Sequence, residues 1–171
     1  AGVCGVDTVH IGVDQAFVGL HGGRHGHGRR IGTTTTQRGD VAVLVHAGAS
    51  GVGSAAIQIA KLWGAHVIAT AGSQAKADRS LALGADRTIL YRDTDFAKAV
   101  REITGKRGVE VVIEHVGRDT WDGAVRSLAR GGRLVTCGAT TGAEVSINLR
   151  VLFAKGISLL GSTMGSLAEM H

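Results

Sequence analysis

The chain has 171 residues, of which 44% are hydrophobic and 19% charged, and its net charge at pH 7 is +5. This length and composition predict one globular domain with a substantial core. No apolar run approaches the roughly 18 residues that a membrane-spanning helix needs, so we expect no membrane contact. Aromatic residues make up only 4% of the chain, which provides little to stack on bases and argues against a nucleic-acid partner.

Two cysteines, Cys4 and Cys137, stand far apart in the sequence. They make no disulfide framework, so a reducing cytoplasm is the expected location. Cys137 lies in a predicted buried strand, where core packing is the favoured interpretation.

The first 40 residues differ in composition from the rest of the chain. Residues 19–40, "GLHGGRHGHGRRIGTTTTQRGD", are glycine-rich and basic and predict a flexible connector. His21, His25 and His27 have a spacing that can converge on a metal ion. A histidine-containing linker with adventitious metal affinity is the favoured interpretation of the three.

From Val41 onward, apolar runs alternate with helical patterns at short intervals. The alternation predicts βαβ units and a parallel sheet. The predicted strands are 41–47, 66–71, 87–91, 109–117, 132–138 and 156–162, and the predicted helices are 52–64, 74–84, 95–105, 119–132 and 148–156. The expected fold is therefore α/β, a Rossmann doubly wound parallel sheet of about six strands in the order 3-2-1-4-5-6.

A glycine-rich turn joins the first predicted strand to the first predicted helix, within "VHAGASGVGSAAIQIAK" (45–61). Unpaired amide groups and the macrodipole at a helix N-terminus favour a pyrophosphate there. Ser50 replaces the middle glycine of the G-x-G-x-x-G pattern and is small enough to keep the turn. The predicted phosphate-binding residues are Gly48, Ser50, Gly51, Val52 and Gly53. A tight turn without a ligand is the alternative.

The second predicted strand ends in "ATAGSQAK" (69–76), where Ala71 stands in place of the carboxylate that binds the ribose in NAD sites. The hydroxyl of Ser73 and the ammonium of Lys76 follow closely, which favours NADP(H) over NAD(H). In the alternative, Ser73 only caps the second helix and Lys76 is a solvated surface lysine. Glu114 and His115, at the end of the fourth predicted strand, either face the ligand crevice or form a satisfied strand-end pair.

From Arg38 to about Met164 the sequence resembles the cofactor domain of the medium-chain dehydrogenase/reductase superfamily, with its zinc-type alcohol dehydrogenases and quinone oxidoreductases. The matching motifs are the segment 38–86 with its GASGVG turn, "GVEVVIEHVG", "GGRLVTCGATTG" and "SLLGSTMG", in family order. The resemblance implies an NADP(H)-dependent oxidoreductase acting on a small carbonyl, alcohol, quinone or enoyl substrate. It also implies a homodimer through the sixth strand.

The resemblance implies roles for further residues of the cofactor site. Tyr91 joins Ser73 and Lys76 around the 2′-phosphate. The residues expected to border the adenosine or nicotinamide ends are His115, Val116, Gly138, Ala139, Thr140, Gly161 and Ser162.

The N-terminal segment "AGVCGVDTVHI" resembles the part of the family's catalytic domain that enters the active site. Cys4 matches a possible zinc ligand and Asp7 matches its neighbour, while His10 is one place later than the usual proton-relay histidine. Val6 replaces the relay hydroxyl, so the resemblance implies an incomplete zinc site. We therefore expect residues 1–40 to be a remnant of the catalytic domain plus a connector, and 41–171 to bind NADP(H). A non-catalytic nucleotide-binding or dimerisation module is the alternative.

Overall fold

A computed structural model describes residues 41–163, which contain six strands and five helices. In chain order these are β1 (Ala42–Val45), α1 (Gly51–Leu62), β2 (His66–Ala71), α2 (Gln74–Ala82), β3 (Arg87–Leu90), α3 (Phe96–Ile103), β4 (Val109–Glu114), α4 (Arg118–Ser127), β5 (Leu128–Thr136), α5 (Leu149–Lys155) and β6 (Ser158–Gly161). The predicted connector and catalytic remnant, with Cys4, Asp7, His10, His21, His25 and His27, lie outside the described residues.

The six strands form one parallel sheet in the order β3-β2-β1-β4-β5-β6. This confirms the predicted α/β Rossmann fold and its strand order. The central strand β1 is buried on both faces, because helices cover each side of the sheet. A parallel sheet brings the carboxyl ends of all its strands to one edge, and that edge is the place where such folds bind ligands.

Two apolar clusters pack on the opposite faces of the sheet, and alternate residues of β1 point into them. Val43 and Val45 face the cluster that includes α1, whereas Leu44 faces the one that includes α3 and α4. All three side chains are fully buried. The continuous apolar run read from the sequence therefore reflects a strand covered on both sides.

The predicted helix at 119–132 was too long. Helix α4 ends at Ser127 and strand β5 begins at Leu128, which pairs with Val109 at the start of β4. The register then shifts, so that Arg133 pairs with Val111. Pairing with β4 overrides the helical preference of the "LAR" segment, and Gly131, with a φ of +72°, accommodates the bend.

Sheet strand β6 lies at one edge, and it is the least buried of the described strands. Helix α5, which precedes it, has no buried residue.

Within 41–163, no helix combines the length and apolar character needed to cross a bilayer.

Candidate functional site

The carboxyl edge of the sheet collects all the predicted cofactor residues that the structure describes. Each strand contributes one group directly after its last residues, and the groups follow the strand order across the edge. In the spatial order β3, β2, β1, β4, β5, β6 the groups are Tyr91; Ser73 and Lys76; Gly48, Ser50, Gly51, Val52 and Gly53; His115 and Val116; Gly138, Ala139 and Thr140; and Gly161 and Ser162. Residues from Gly48 to Ser162, a span of 115 positions in the sequence, thus line one edge, with Tyr91 at one end of it and Ser162 at the other.

Two glycines of the turn are required by packing. A Cβ on Gly53 would sit against the carbonyl oxygen of Ala47 and 2.7 Å from the Cα of Gly48. A Cβ on Gly48 would lie 2.7 Å from Ser80 Oγ and 2.9 Å from Ala69 Cβ. Since these contacts involve backbone or buried atoms, both positions need glycine for helix α1 to start close against the end of β1.

No close contact within the described structure requires a glycine at position 51. It is exposed, its φ lies outside the left-handed region, and a Cβ built on it would meet no atom within 4 Å. The amide groups of Gly51 and Val52 belong to the first turn of α1 and so have no acceptor within the helix. The space above Gly51 is therefore an open cradle with two N–H donors and the positive end of a helix dipole, which suits a phosphate group.

Ser50 closes the start of α1 and also links it to β4. Its Oγ accepts a hydrogen bond of 2.9 Å from the Gly53 amide, as an N-cap does. The same Oγ lies 3.1 Å from Nε2 of His115. A hydroxyl has one donor and two acceptor sites, so Ser50 can bond both Gly53 and the imidazole.

His115 is nearly buried at this junction, and burial lowers its pKa, with the charge of Glu114 opposing the shift. In a neutral ring one nitrogen carries the proton and the other accepts, so the role of Nδ1 is the opposite of the role of Nε2 in its bond with Ser50. That Nδ1 is buried and has no hydrogen-bond partner among the described residues. It is therefore available to a polar atom of a ligand or of water.

Glu114 is satisfied by donors other than His115, so the predicted strand-end pair of the two is not what holds it, whereas His115 keeps an unpartnered nitrogen. The carboxylate is fully buried and accepts hydrogen bonds from the amides of Val116 (2.6 Å) and Gly117 (3.1 Å), and from the hydroxyl of Thr120 (2.8 Å). These donors stand at the N-terminus of α4, where a negative charge is favourable. Glu114 thus fixes the backbone that carries His115 and Val116.

The sequence analysis missed His46, which lies beneath the turn. Its Nδ1 is 3.2 Å from Thr70 Oγ1 and its Nε2 is 3.7 Å from a carboxylate oxygen of Glu114. Thr70 Oγ1 also accepts from the Ala47 amide at 3.1 Å. The visible signal was a polar residue one place from the end of each of two apolar runs, His46 in "VAVLVHA" and Thr70 in "HVIATA".

Burial lowers the pKa of His46 from 6.5 to about 4, with the nearby Glu114 opposing the shift and His115 adding to it. The ring is also packed edge-on against Phe96, with centroids 4.9 Å apart. At neutral pH the imidazole is uncharged, and its buried Nε2 has no hydrogen-bond partner among the described residues, 3.7 Å from Glu114. His46, Thr70 and Glu114, from three neighbouring strands or the residue after them, thus lie together under the glycine-rich turn.

At the end of β2 no carboxylate occupies the predicted ribose position, where Ala71 is buried. Ser73 is the N-cap of α2 by position, yet its side chain makes no capping bond, so the hydroxyl remains exposed. Tyr91 lies over Gly72, with its hydroxyl 2.8 Å from the point where a Cβ would be. Lys76 is exposed on the first turn of α2, and none of the ion pairs within 41–163 involves it.

The loop after β5 packs on the segment after β4. The amides of Thr140 and Thr141 donate to the carbonyls of His115 (3.5 Å) and Val116 (2.7 Å). A Cβ on Gly138 would lie 3.1 Å from the His115 carbonyl oxygen. Cys137 stands just past β5 and is half-buried, rather than inside a buried strand as predicted, and burial raises the pKa of its thiol.

Zinc finds no site in the part of the chain that the structure describes. Residues 41–163 contain no group of three or more His, Cys, Asp or Glu side chains placed to hold a metal ion. The described residues therefore do not fit the metal, and the predicted ligand Cys4 lies outside them.

The sequence that forms most of this edge is similar to a known protein family. The family model described as "zinc-binding dehydrogenase" matches residues 51–171. Quinone oxidoreductase 1 of Escherichia coli is 44% identical over 117 residues, which cover 68% of this chain and 36% of that protein. The chain thus spans little more than a third of the length of this curated relative.

Two solved structures show the same fold. Escherichia coli quinone oxidoreductase complexed with NADPH aligns with a TM-score of 0.66 at 40% identity, over 77% of this chain and 40% of that one. An NAD-dependent alcohol dehydrogenase aligns with a TM-score of 0.76 at 39% identity, over 95% of this chain and 43% of that one.

The two kinds of glycine in the turn predict different effects on stability. Gly53→Ala should lower the free energy of unfolding by about 2 kcal/mol or more, because its Cβ meets backbone atoms that cannot move aside. Gly51→Ala, with open space around it, should change that free energy by less than about 0.5 kcal/mol. Urea unfolding followed by circular dichroism measures both; equal losses would contradict the assignment of the two roles.

The buried His46 predicts a loss of stability on mild acidification. Its folded-state pKa is about 4 and the ordinary value of a histidine is 6.5, so between these limits the unfolded chain binds more protons. Stability therefore falls as pH drops through this window, by about 3 kcal/mol in total. We expect His46→Asn, which keeps a partner for Thr70 but does not titrate, to flatten the dependence between pH 6.5 and 5. Urea titrations at several pH values check this, and an unchanged slope would count against it.

Proposed function

This chain belongs to the zinc-binding dehydrogenase family within the medium-chain dehydrogenase/reductase superfamily, and from that premise we propose that it binds a nicotinamide dinucleotide for an oxidoreductase of the quinone-reductase or alcohol-dehydrogenase type. The observation that carries the proposal is the open cradle above Gly51. There two amides that have no acceptor within α1 adjoin the open space at Gly51, at the carboxyl edge of the sheet.

The chain's own residues would hold the cofactor along this edge. The amides of Gly51 and Val52 donate to the pyrophosphate, and Gly51 lets the backbone approach it. Ser50 fixes the start of the helix and, through His115, ties it to β4. The unpartnered Nδ1 of His115 would supply one more polar contact at this junction.

The segments after β4, β5 and β6 would border the remainder of the cofactor. The predicted residues there are His115, Val116, Gly138, Ala139, Thr140, Gly161 and Ser162. When bound, the nicotinamide supplies a hydride carrier for a carbonyl, alcohol or quinone substrate. The domain contributes orientation, since hydride transfer depends on how donor and acceptor are placed.

We propose NADP(H) rather than NAD(H) as the cofactor. Relatives differ in this respect: one solved structure is a complex with NADPH and another is an NAD-dependent enzyme. In this chain Ala71 removes the carboxylate that would repel a 2′-phosphate. The exposed Ser73 hydroxyl, the Lys76 ammonium and the Tyr91 hydroxyl stand around the end of β2 and β3 to receive it.

Cofactor titration by nucleotide fluorescence tests both parts of the proposal. NADPH should bind on the order of tenfold or more tightly than NADH, because one charge-assisted contact contributes about 1.5–3 kcal/mol. Lys76→Ala should abolish this preference, whereas Lys98→Ala, an equally exposed lysine on α3, should leave it intact. Gly51→Ala should weaken both nucleotides about tenfold while the fold is retained. Equal affinities in the parent chain would refute the NADP assignment, and indifference to Gly51→Ala would refute the site.

The alternative is a nucleotide-binding or dimerisation module without catalysis of its own. Both proposals require a nucleotide bound at the open cradle above Gly51, but only the oxidoreductase converts a substrate. NADPH consumption with a panel of quinones, aldehydes and enones, with and without zinc, separates them. We expect slow turnover by this chain alone, since Val6 interrupts the predicted relay and the described residues hold no metal site.

We also propose a homodimer through β6. This edge strand leaves one row of backbone groups unpaired by any described strand, and Leu159 on it is 38% exposed. The preceding helix α5 exposes Leu149 and Phe153, at 65% and 73%. A second copy pairing along β6 would cover these apolar side chains and continue the sheet.

Light scattering coupled to size exclusion tests the dimer. The chain should elute as a dimer at micromolar concentration, and Leu159→Lys should give a monomer by placing a charge in the interface. Leu62→Lys, at an 83% exposed site on the end of α1, is the matched control and should remain dimeric. A monomeric parent chain would be incompatible with this assembly.

A further inference from the structure

A groove of about 590 Å³ lies among α3, α4 and α5, and a smaller cavity of about 150 Å³ adjoins it where β4 and β5 begin. The two share Arg101, Lys106, Arg126 and Lys155 in their linings. Because β4 and β5 start here, this region lies at the opposite end of the sheet from the glycine-rich turn. It contains none of the predicted cofactor residues.

The lining is strongly positive. It carries seven cationic side chains and only two carboxylates: Lys98, Arg101, Lys106, Arg107, Arg126, Arg130 and Lys155 against Asp95 and Glu102. Two of the cations are neutralised locally. Arg126 pairs with Asp95 at 3.3 Å and Asp122 at 2.8 Å, and Arg107 pairs with Glu110 at 3.2 Å.

Three further cations have no such compensation. Within 41–163, no carboxylate forms an ion pair with Arg101, Lys106 or Arg130. All three side chains are exposed. Like charges held this close repel one another, and an anion placed among them removes the repulsion.

The ammonium group of Lys155 is held in place in the groove by backbone carbonyls. Its Nζ donates to the carbonyl oxygens of Leu128 (2.7 Å) and Arg126 (3.2 Å) at the end of α4, which holds the ammonium in one place. An ammonium has three N–H donors, so one remains for a ligand. Burial first, and the charge of Arg101 second, lower the pKa of this lysine.

We propose that this groove binds a small oligophosphate, with Arg101, Lys106 and Lys155 holding its anionic groups and Arg130 extending the site into the smaller cavity. Several adjacent cations match several adjacent phosphates better than a single carboxylate. Arginine offers a planar fork of donors and lysine a compact charge, and both suit phosphate oxygens. Ala97 and Val151 give the larger cavity an apolar part. Inorganic polyphosphate and the phosphate chain of a nucleotide share this chemistry.

Isothermal titration of inorganic tripolyphosphate into the chain, at physiological ionic strength, tests the site. We expect saturable binding that the double variant Arg101→Gln, Lys106→Gln weakens tenfold or more. The double variant Arg79→Gln, Arg87→Gln removes the same charge from α2 and β3 and should change the affinity by less than twofold. Both variants alter exposed residues, and thermal unfolding confirms that they fold. Tripolyphosphate should also protect Lys106 and Lys155 from acetylation, measured by mass spectrometry.

The controls separate this site from the proposed cofactor site. Binding should persist in Gly51→Ala, which alters the proposed cofactor site and leaves the groove intact. Loss of tripolyphosphate binding in that variant would place the anion at the glycine-rich turn and overturn the proposal. An equal loss in both double variants, or no saturable binding at millimolar concentration, would overturn it too. A parallel titration with ATP identifies the source: similar affinity indicates recognition of phosphates alone, and affinity tenfold higher indicates a nucleotide, both within the proposed class.

Discussion

The close contact between the start of α1 and the end of β1 is the constraint on which the carboxyl edge depends. It exists because positions 48 and 53 have no side chain, so that backbone approaches backbone where any Cβ would collide. The helix N-terminus is then held directly above the sheet edge. Its first turn adjoins the open space at Gly51, where an added Cβ would meet no described atom within 4 Å.

A buried polar network holds this arrangement from below. The carboxylate of Glu114 takes three donors at the start of α4, and His46 and Thr70 connect it to β1 and β2. The Nε2 of His46 makes no hydrogen bond among the described residues and lies 3.7 Å from the Glu114 carboxylate, so this last link is electrostatic. The network fixes the loop that follows β4, and through His115 and Ser50 it reaches the turn itself.

The two ends of the sheet offer anions different partners. At the carboxyl edge the donors are mainly backbone amides and a helix dipole, which depend on geometry and do not titrate. At the amino end they are charged side chains arranged around Lys155. The first kind of site positions a ligand closely, whereas the second attracts a compact charge; the two ends can be altered independently because they share no residue.

The sequence by itself determined the fold, because apolar runs of strand length alternating with helical patterns leave little choice but a doubly wound parallel sheet. It also located the turn at 48–53, since a strand, closely spaced glycines and a helix in succession are a local pattern. The boundary between α4 and β5 escaped it, because Leu128 joins the sheet through pairing with Val109, a partner 19 positions away in the chain. Only the tertiary structure showed that Gly53 serves packing while Gly51 faces free space, and that His46, Thr70 and Glu114 meet in one buried cluster. Those properties depend on which atoms of distant strands come into contact, and that is decided by the packing of the whole sheet.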